Sequence, residues 1–264
     1  MIAYSARKKN VRAAGRGSRA AGRRLAALLC GVVLFGGGGC AQRKNPQGVG
    51  LAAPYGRPMT IAVAPALNFS GTSQWDPVRV GDLMASELSQ VQGLNVVGVN
   101  RVMAVLARQG RDNVTSPAHA VEICELLGVD AILVFAVTEF DPYSPPVVGL
   151  AVQVYGPQPR EMGFDPVATS RQARPFPGDG QDERNRPWAQ VQRTYNAAHD
   201  SVVAAVEAYG KTRDAERSPM GWRKYLASQE LYLRFCCHSA IEELMRQERG
   251  RVVFAGGPEE DAEP

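Results

Sequence analysis

Thiols, imidazoles and paired carboxylates are the side chains of this 264-residue sequence that could do chemistry. The run Cys236-Cys237-His238 has the residue types of a transition-metal site. It lies in a helical pattern, where consecutive side chains point about 100° apart and do not converge on one ion. Glu139 and Asp141 end an apolar run, a position where α/β sheets often place functional groups, although capping of a turn is the favoured explanation for them. The sequence therefore predicts no metal site, no cofactor and no catalytic residue.

Known catalytic and phosphate-binding motifs are absent from the sequence. It holds no Gly-rich phosphate loop ending in Lys-Ser or Lys-Thr, no Gly-x-Ser-x-Gly elbow and no His-Glu-x-x-His helix. The three histidines are far apart along the chain, which leaves little material for a general base. We therefore expect a protein that is not an enzyme.

The first 39 residues have the features of an export signal. Residues 7–24 are rich in Arg and Lys, and Leu25 to Phe35 form an apolar run. This run is too short to cross about 30 Å of hydrocarbon as a helix. A basic segment, a short apolar run and small residues before a cut are typical of a secretory signal. A plain cleaved signal and an uncleaved anchor are the alternatives to a lipoprotein signal.

Cys40 is the residue that distinguishes these alternatives. Four glycines precede it, and Ala41 and Gln42 follow it. Small residues directly before a cysteine resemble the cleavage box of bacterial lipoproteins, in which the cysteine becomes the N-terminus and is acylated on its sulfur and amine. The box prefers Leu at the position that Gly37 occupies here. Cys40 is the predicted lipidation site, and membrane lipid is the first predicted partner.

The net charge excludes nucleic acid as an expected partner. The whole sequence carries +4, but residues 1–39 hold eight basic residues and no acidic one. Subtracting these eight from +4 leaves −4 for residues 40–264. The basic character therefore belongs to the segment that export would remove, and the remaining chain has no basic excess that would attract nucleic acid.

Residues 59–155 have the alternating pattern of a small α/β domain. Asp130 to Phe140 is a continuous apolar run, which predicts a strand buried on both faces. Asp76-Pro77 and Ser116-Pro117 are typical helix starts. The predicted elements are a strand over 59–64, a helix over 77–91, a strand over 94–99, a short helix after Asn100, a helix over 116–127 and strands over 130–140 and 147–155.

The pattern changes after this domain. Residues 156–187 are rich in proline and charge, and residues 188–213 carry apolar side chains spaced by three and four, which predicts a helix. The predicted organisation is a signal peptide over 1–39, a flexible tether over 40–58, the α/β domain over 59–155, a Pro-rich loop plus inserted helix over 156–218, a C-terminal helix over 219–250 and an acidic tail over 251–264.

Two stretches carry a resemblance to a known superfamily. They comprise Ile61 to Pro65, Asn68 to Gly71 and Leu88 to Val97, followed by Arg101 to Leu106 and Glu125 to Val134. They resemble the domain shared by curli secretion-channel (CsgG-like) lipoproteins, penicillin-binding-protein activator lipoproteins, flagellar-operon lipoproteins and the N-terminal domain of TolB-like proteins. The resemblance implies a small mixed β-sheet of about four strands flanked by helices, here with a long helical insertion before the C-terminal helix. It also implies a non-catalytic envelope protein that docks other proteins or forms homo-oligomers.

Aromatic and basic side chains near the C-terminus are the predicted partner-binding set, because Trp, Tyr and Arg dominate interface hot spots. Packing of the two long helices on each other also explains them and is the favoured explanation, and one face buried with the other offered to a partner is the mixed case. The set is Trp188, Tyr195, Tyr209, Trp222, Arg223 and Tyr225.

The expected function is that of a lipid-anchored periplasmic adaptor or assembly factor. Ala41 and Gln42 lack the Asp that retains enteric lipoproteins in the inner membrane, which favours the outer membrane. One alternative is an oligomeric curli-type secretion component, although no long run of membrane-crossing strands is evident. Another alternative is an envelope enzyme or small-ligand binder with a cleft near Phe69, Asp76, Glu139 and Asp141.

Overall fold

A computed structural model of the chain describes residues 50–157 and 186–255, with the side chains of 251–255 excepted. The predicted signal peptide, Cys40, most of the Pro-rich loop and the end of the acidic tail lie outside the described residues. Among the described residues, no helix combines the length and apolar character needed to cross a bilayer.

The sheet is mixed and has six strands, which confirms the predicted fold class with more strands than the expected four. Strand β1 pairs in parallel with β3 and β4, and β2 continues beyond the end of β1 along the same side of β4. Strands β4, β5 and β6 are antiparallel, so the order is β3-β1-β4-β5-β6. The strands are β1 (Met59–Val63), β2 (Leu67–Asn68), β3 (Leu94–Val97), β4 (Ala131–Asp141), β5 (Val147–Tyr155) and β6 (Ala189–Asn196).

Helices cover the sheet, and two of them begin where the sequence predicts. The Asp76 carboxylate accepts hydrogen bonds from the first amides of one helix, and the Ser116 hydroxyl caps another. Gly128 ends the latter with a φ of 64°, a left-handed conformation that glycine adopts readily. The helices are α1 (Pro77–Leu88), α2 (Val99–Arg108), α3 (Pro117–Leu127), α4 (Asp200–Thr212), α5 (Lys224–Ala227) and α6 (Gln229–Ala255).

The core has one apolar layer on each face of the sheet. Successive residues of β4 alternate between the layers, so Leu133 and Phe135 pack on the α1 and α6 side, while Ile132 and Val134 pack on the α2 and α3 side. This alternation of wholly buried residues confirms that β4 is buried on both faces.

The predicted helix over 188–213 is wrong in its first half. Residues 189–196 form β6, which pairs with β5 along eight residues, and the helix begins only at Asp200. Val191 and Tyr195 are four residues apart, a spacing that places them on one face of a helix and also on one face of a strand. Pairing with the otherwise open edge of β5 decides between the two, and both side chains are buried.

The predicted C-terminal helix also has different bounds. Ser228 has extended backbone angles, so the long helix α6 starts at Gln229, after the short helix α5. It continues to Ala255, which takes the first residues of the predicted acidic tail into the helix.

The predicted tether ends before residue 58. The Ala53 amide donates to the Gln92 carbonyl, and the Tyr55 hydroxyl donates to Glu248 at 2.8 Å. Leu51, Ala53 and Tyr55 are partly buried against the core. Apolar side chains in the last part of the tether therefore attach it to the domain, which shortens the predicted flexible segment.

Replacement of Gly156 with alanine is expected to lower the free energy of unfolding by about 1–3 kcal/mol, the usual cost of overpacking a core. An added Cβ would lie 2.0 Å from the Trp188 ring and 2.7 Å from the Asp130 carbonyl oxygen. Gly250 is the matched control, because its Cβ would meet nothing within 4 Å and alanine favours a helix. Denaturant unfolding of the two variants measures the difference, and equal stability would contradict the packing at Gly156.

Candidate partner-binding cleft

An open cleft of about 600 Å³ lies at the end of the domain where α1 and α6 both begin. Strands β1, β2 and β4 run in the same direction, and the chain passes from the carboxyl end of β2 into the loop that lines the cleft. This edge is where open α/β sheets commonly bind ligands. The lining residues are Ser73, Gln74, Trp75, Asp76, Pro77, Arg79, Val80, Leu83, Gln229, Glu230 and Leu233.

The loop before α1 is held in shape by its own hydrogen bonds. The Asn68 carboxamide accepts from the amide and hydroxyl of Ser70 and donates to the Thr72 carbonyl. The Trp75 ring nitrogen donates to the Ser70 hydroxyl at 3.1 Å, and its ring lies 6.3 Å from that of Phe140. Trp75 is 8% exposed, so it forms an ordered apolar wall of the cleft.

One ion pair joins the two helices across the cleft. The Arg79 guanidinium donates to the Glu230 carboxylate at 2.5 Å, and the side-chain amide of Gln229 donates to the backbone carbonyl of Gln74 at 3.4 Å. The hydrogen bond and charge of Glu230 raise the pKa of Arg79. The Arg79 side chain is 69% exposed and that of Glu230 46% exposed, so a bound partner could contact both charges.

Two exposed aromatic side chains lie at the same end of the sheet as the cleft. Phe69 follows β2, and its amide donates to the Val137 carbonyl, while its side chain is 54% exposed. Tyr143 lies in the turn between β4 and β5 and is 72% exposed. Exposed aromatic rings close to an ordered cleft are typical of a recognition surface.

The strand-end residues predicted from sequence are only partly brought together. Asp76 lines the cleft, but its carboxylate caps α1 by accepting from the amides of Val78 and Arg79. Asp141 accepts from the Tyr143 amide, which confirms that it caps the turn. Glu139 is exposed and does not line the cleft. The cleft residues Trp75, Arg79 and Glu230 were not predicted, because no sequence signal links α1 with a helix 150 positions later.

The predicted partner-binding set divides into core and surface residues. Trp188, Tyr195, Tyr209 and Tyr225 are buried in the core, which corrects their assignment to a reachable surface. Tyr209 packs edge-on against Tyr225 at 5.2 Å, so contacts within the domain already use these rings. Trp222 is half-buried and Arg223 is exposed, with the guanidinium 4.8 Å from the centre of the indole ring. Partner binding by Trp222 and Arg223 stays a prediction.

The cysteines of the domain are buried thiols. Cys124, Cys236 and Cys237 are free, and burial raises the pKa of all three thiols, that of Cys124 to about 12. In the part of the chain that the structure describes, no three His, Cys, Asp or Glu side chains lie close enough to hold a metal ion.

These thiols are expected to be unreactive in the folded protein. A thiolate is the nucleophile, and both burial and a raised pKa keep these groups as thiols. A chromogenic disulfide reagent should therefore label none of the three in native protein and all three in denaturant. Fast labelling of the native protein at any of them would contradict their burial.

The chain enters the domain at the end opposite to the cleft. Residues 51–53 pair with Gln92, just beyond the last residue of α1, whereas the cleft lies at the first turn of α1. Twelve helical residues separate the two ends by about 18 Å. The point where the tether joins the domain and the cleft therefore lie at opposite ends of α1.

Comparison with known proteins leaves the family open. No known protein family and no curated protein matches the sequence. Among solved structures, the chain is similar to the lipoprotein GNA1162 from Neisseria meningitidis, with 18% identity, a TM-score of 0.37, and coverage of 58% of this chain and 96% of the other. It is also similar to the LpoB C-terminal domain from Salmonella enterica, with 14% identity, a TM-score of 0.32, and coverage of 40% and 75%.

A third likeness is to a PelC dodecamer from Paraburkholderia phytofirmans, with 18% identity, a TM-score of 0.25, and coverage of 40% of this chain and 65% of the other. One of these neighbours is thus a lipoprotein. The resemblance to the CsgG-like superfamily stays a prediction.

Proposed function

We propose that this protein is a non-catalytic, lipid-anchored adaptor of the bacterial cell envelope that binds a segment of a partner protein in the cleft between α1 and α6. The acyl chains would be carried by Cys40, and the shortened tether would connect them to the domain. The anchor is inferred from the sequence, because Cys40 follows a basic segment, a short apolar run and four glycines. The outer membrane is the proposed location.

The observation that carries the proposal is the position of the cleft relative to the tether. The tether reaches the domain beside the end of α1, and the cleft opens at the start of α1. A domain held to a membrane by its first end presents the cleft to the periplasm, where a partner could reach it. This arrangement is suited to an adaptor that connects a membrane-anchored site with a second protein.

The surface around the cleft favours a polypeptide as the partner. The cleft offers the apolar side chains of Trp75 and Leu83 together with the exposed charges of Arg79 and Glu230. Its volume is also that of a small-molecule site. The exposed rings of Phe69 and Tyr143 at the same end enlarge the apolar surface beyond the cleft, and such an extended surface fits a peptide segment better than a small ligand.

Site-specific photocrosslinking in intact cells tests the proposal. A photoreactive residue at Ser73, which is exposed and lines the cleft, should crosslink one envelope protein. The matched control is Gln192, which is exposed on β6. Crosslinking of the same protein from both positions, or of no protein from Ser73, would contradict binding in the cleft.

Point substitutions serve this test better than deletion of residues 156–218. That deletion would remove β6 and α4, which supply buried residues such as Val191, Tyr195 and Val206 to the core. Loss of a partner in the deleted protein would then report loss of the fold rather than loss of an interface.

A further inference from the structure

A cluster of charged side chains surrounds Glu87, at the end of α1 remote from the cleft. Glu87 is 1% exposed. Its Oε2 atom accepts a hydrogen bond from Arg213 Nη2 at 2.5 Å and lies 3.4 Å from His238 Nδ1. Its Oε1 atom lies 3.7 Å from Arg234 Nη1. One buried carboxylate therefore faces two guanidinium groups and an imidazole.

The cluster carries more positive than negative charge. Two arginines against one glutamate leave a surplus of +1 before any proton on His238 is counted. Two acids close in sequence to Tyr209 and Arg213 already have cationic partners, because Asp214 pairs with Lys224 at 2.5 Å and Glu207 pairs with Lys211 at 2.8 Å. The arginine side chains are 26% and 35% exposed, so a ligand in solution can reach them.

The Tyr209 side chain forms the inner wall of the cluster. The Arg213 guanidinium lies 5.1 Å from the centre of its ring, and the His238 ring lies 4.8 Å from it. Burial, followed by the charge of Glu87, raises the pKa of Tyr209, so its hydroxyl keeps its proton. Glu87 is also a hydrogen-bond acceptor for this hydroxyl, so Tyr209 supports the carboxylate from the buried side. The partly exposed side of the cluster is formed by the two arginines and His238.

We propose that Arg213, Arg234 and His238 form a binding site for a phosphoryl oxyanion, with Glu87 holding the arginines in position. The planar guanidinium fork matches the oxygens of a phosphate, and charge-assisted hydrogen bonds to it are the stronger kind. Each guanidinium has five N–H donors. The hydrogen bond from Arg213 to Glu87 uses one of these donors, and Arg234 makes an ion pair with Glu87 without a hydrogen bond. Donors therefore remain for an added oxyanion.

Two sources could supply the phosphoryl group. One is a soluble phosphate or phosphate monoester, and the other is the headgroup of a phospholipid at the membrane surface. The chemistry of recognition is the same for both, and the test below separates them. The site does not depend on the proposed adaptor function, because none of its residues lines the cleft.

Calorimetric titration of the purified protein with inorganic phosphate, at constant ionic strength, tests the site. Arg234→Gln should weaken phosphate binding at least tenfold while keeping the fold, since Arg234 makes no hydrogen bond to Glu87. Glu87→Gln should strengthen it about tenfold, because glutamine keeps an oxygen that can accept the Arg213 hydrogen bond while it removes a negative charge beside the ligand. Arg108→Gln is the matched control, since that exposed guanidinium lies in the last turn of α2, on the opposite side of the sheet, and it should bind phosphate as the unchanged protein does.

A second arm measures binding to vesicles of phosphatidylglycerol against vesicles of phosphatidylcholine. If Arg234→Gln weakens only the binding to vesicles, the site is assigned to a lipid headgroup. If Arg234→Gln weakens the binding of inorganic phosphate, the site is assigned to a soluble ligand. Either result supports an oxyanion site. No binding in either arm, or binding that Arg108→Gln weakens as much as Arg234→Gln does, would overturn it.

Discussion

Replacement of Glu87 with alanine is expected to lower the free energy of unfolding by about 3 kcal/mol. Removal of one partner from a buried ion pair typically costs about 3–5 kcal/mol, because the remaining charge loses its compensation in a poorly solvated place. Here three cationic or titratable side chains share the same carboxylate. The lower end of the range applies because Arg213 and Arg234 keep partial contact with water.

The matched control for this prediction is Glu230→Ala. Glu230 also pairs with an arginine, but both side chains of that pair are largely exposed. Exposed pairs of this kind contribute up to about 1 kcal/mol. Denaturant unfolding of the two variants should therefore separate them by about 2 kcal/mol or more. Equal losses would show that Glu87 is solvated like Glu230 and that the cluster is not buried.

Replacement of Cys40 with serine is expected to remove the lipid anchor. A cleaved variant should move from the membrane fraction to the soluble fraction of the envelope, and an uncleaved variant should remain as the precursor. Serine has no thiol, so the thioether to the diacylglycerol cannot form, and multiple acyl chains are what hold a lipoprotein firmly to a bilayer. Fractionation of cells and mass spectrometry of the N-terminal peptide measure both outcomes.

Cys30→Ser is the matched control for the anchor. Cys30 lies in the apolar run of the signal, where Leu28 and Leu29 are too bulky for the residues before a cleaved cysteine. This variant should remain acylated and bound to the membrane. If Cys40→Ser stayed in the membrane fraction as a mature protein, the lipid anchor on Cys40 would be excluded.

The sequence predicted the parallel part of the fold well because its signals there are local. Asp76-Pro77 and Ser116-Pro117 begin helices, Gly128 ends one, and the continuous apolar run of β4 is buried on both faces. Each of these features depends on residues within a few positions of one another. Tertiary contacts reinforce these local preferences and do not compete with them.

Strand β6 shows where local signals are insufficient. Its buried residues Val191 and Tyr195 satisfy a helical and an extended periodicity at once. The choice depends on the exposed edge of β5, which is a partner about 40 positions away along the chain. Four of the six predicted partner-binding residues are buried for the same reason. Their spacing fitted both packing within the domain and contact with a partner, and contacts distant in sequence decided between the two.

The candidate sites were hidden for a related reason. Glu87 follows Leu83 and Met84 on the apolar face of α1, which was a visible sign of a buried carboxylate. Its cationic partners lie more than a hundred residues further on, so their convergence could not be predicted. The cleft likewise combines the start of α1 with the start of α6.

The central claim, that the cleft binds a partner protein, is tested most directly by exchanging the charges of Arg79 and Glu230. The double variant Arg79→Glu, Glu230→Arg keeps an ion pair across the cleft, so the fold, its stability and the membrane fraction should not change. A partner whose charges complement those of Arg79 and Glu230 then faces like charges in both positions. We expect the crosslink from Ser73 to the envelope partner to fall at least tenfold in intact cells, about 1.4 kcal/mol of binding free energy. An unchanged crosslink yield in a folded, membrane-bound double variant would contradict the proposed role of the cleft.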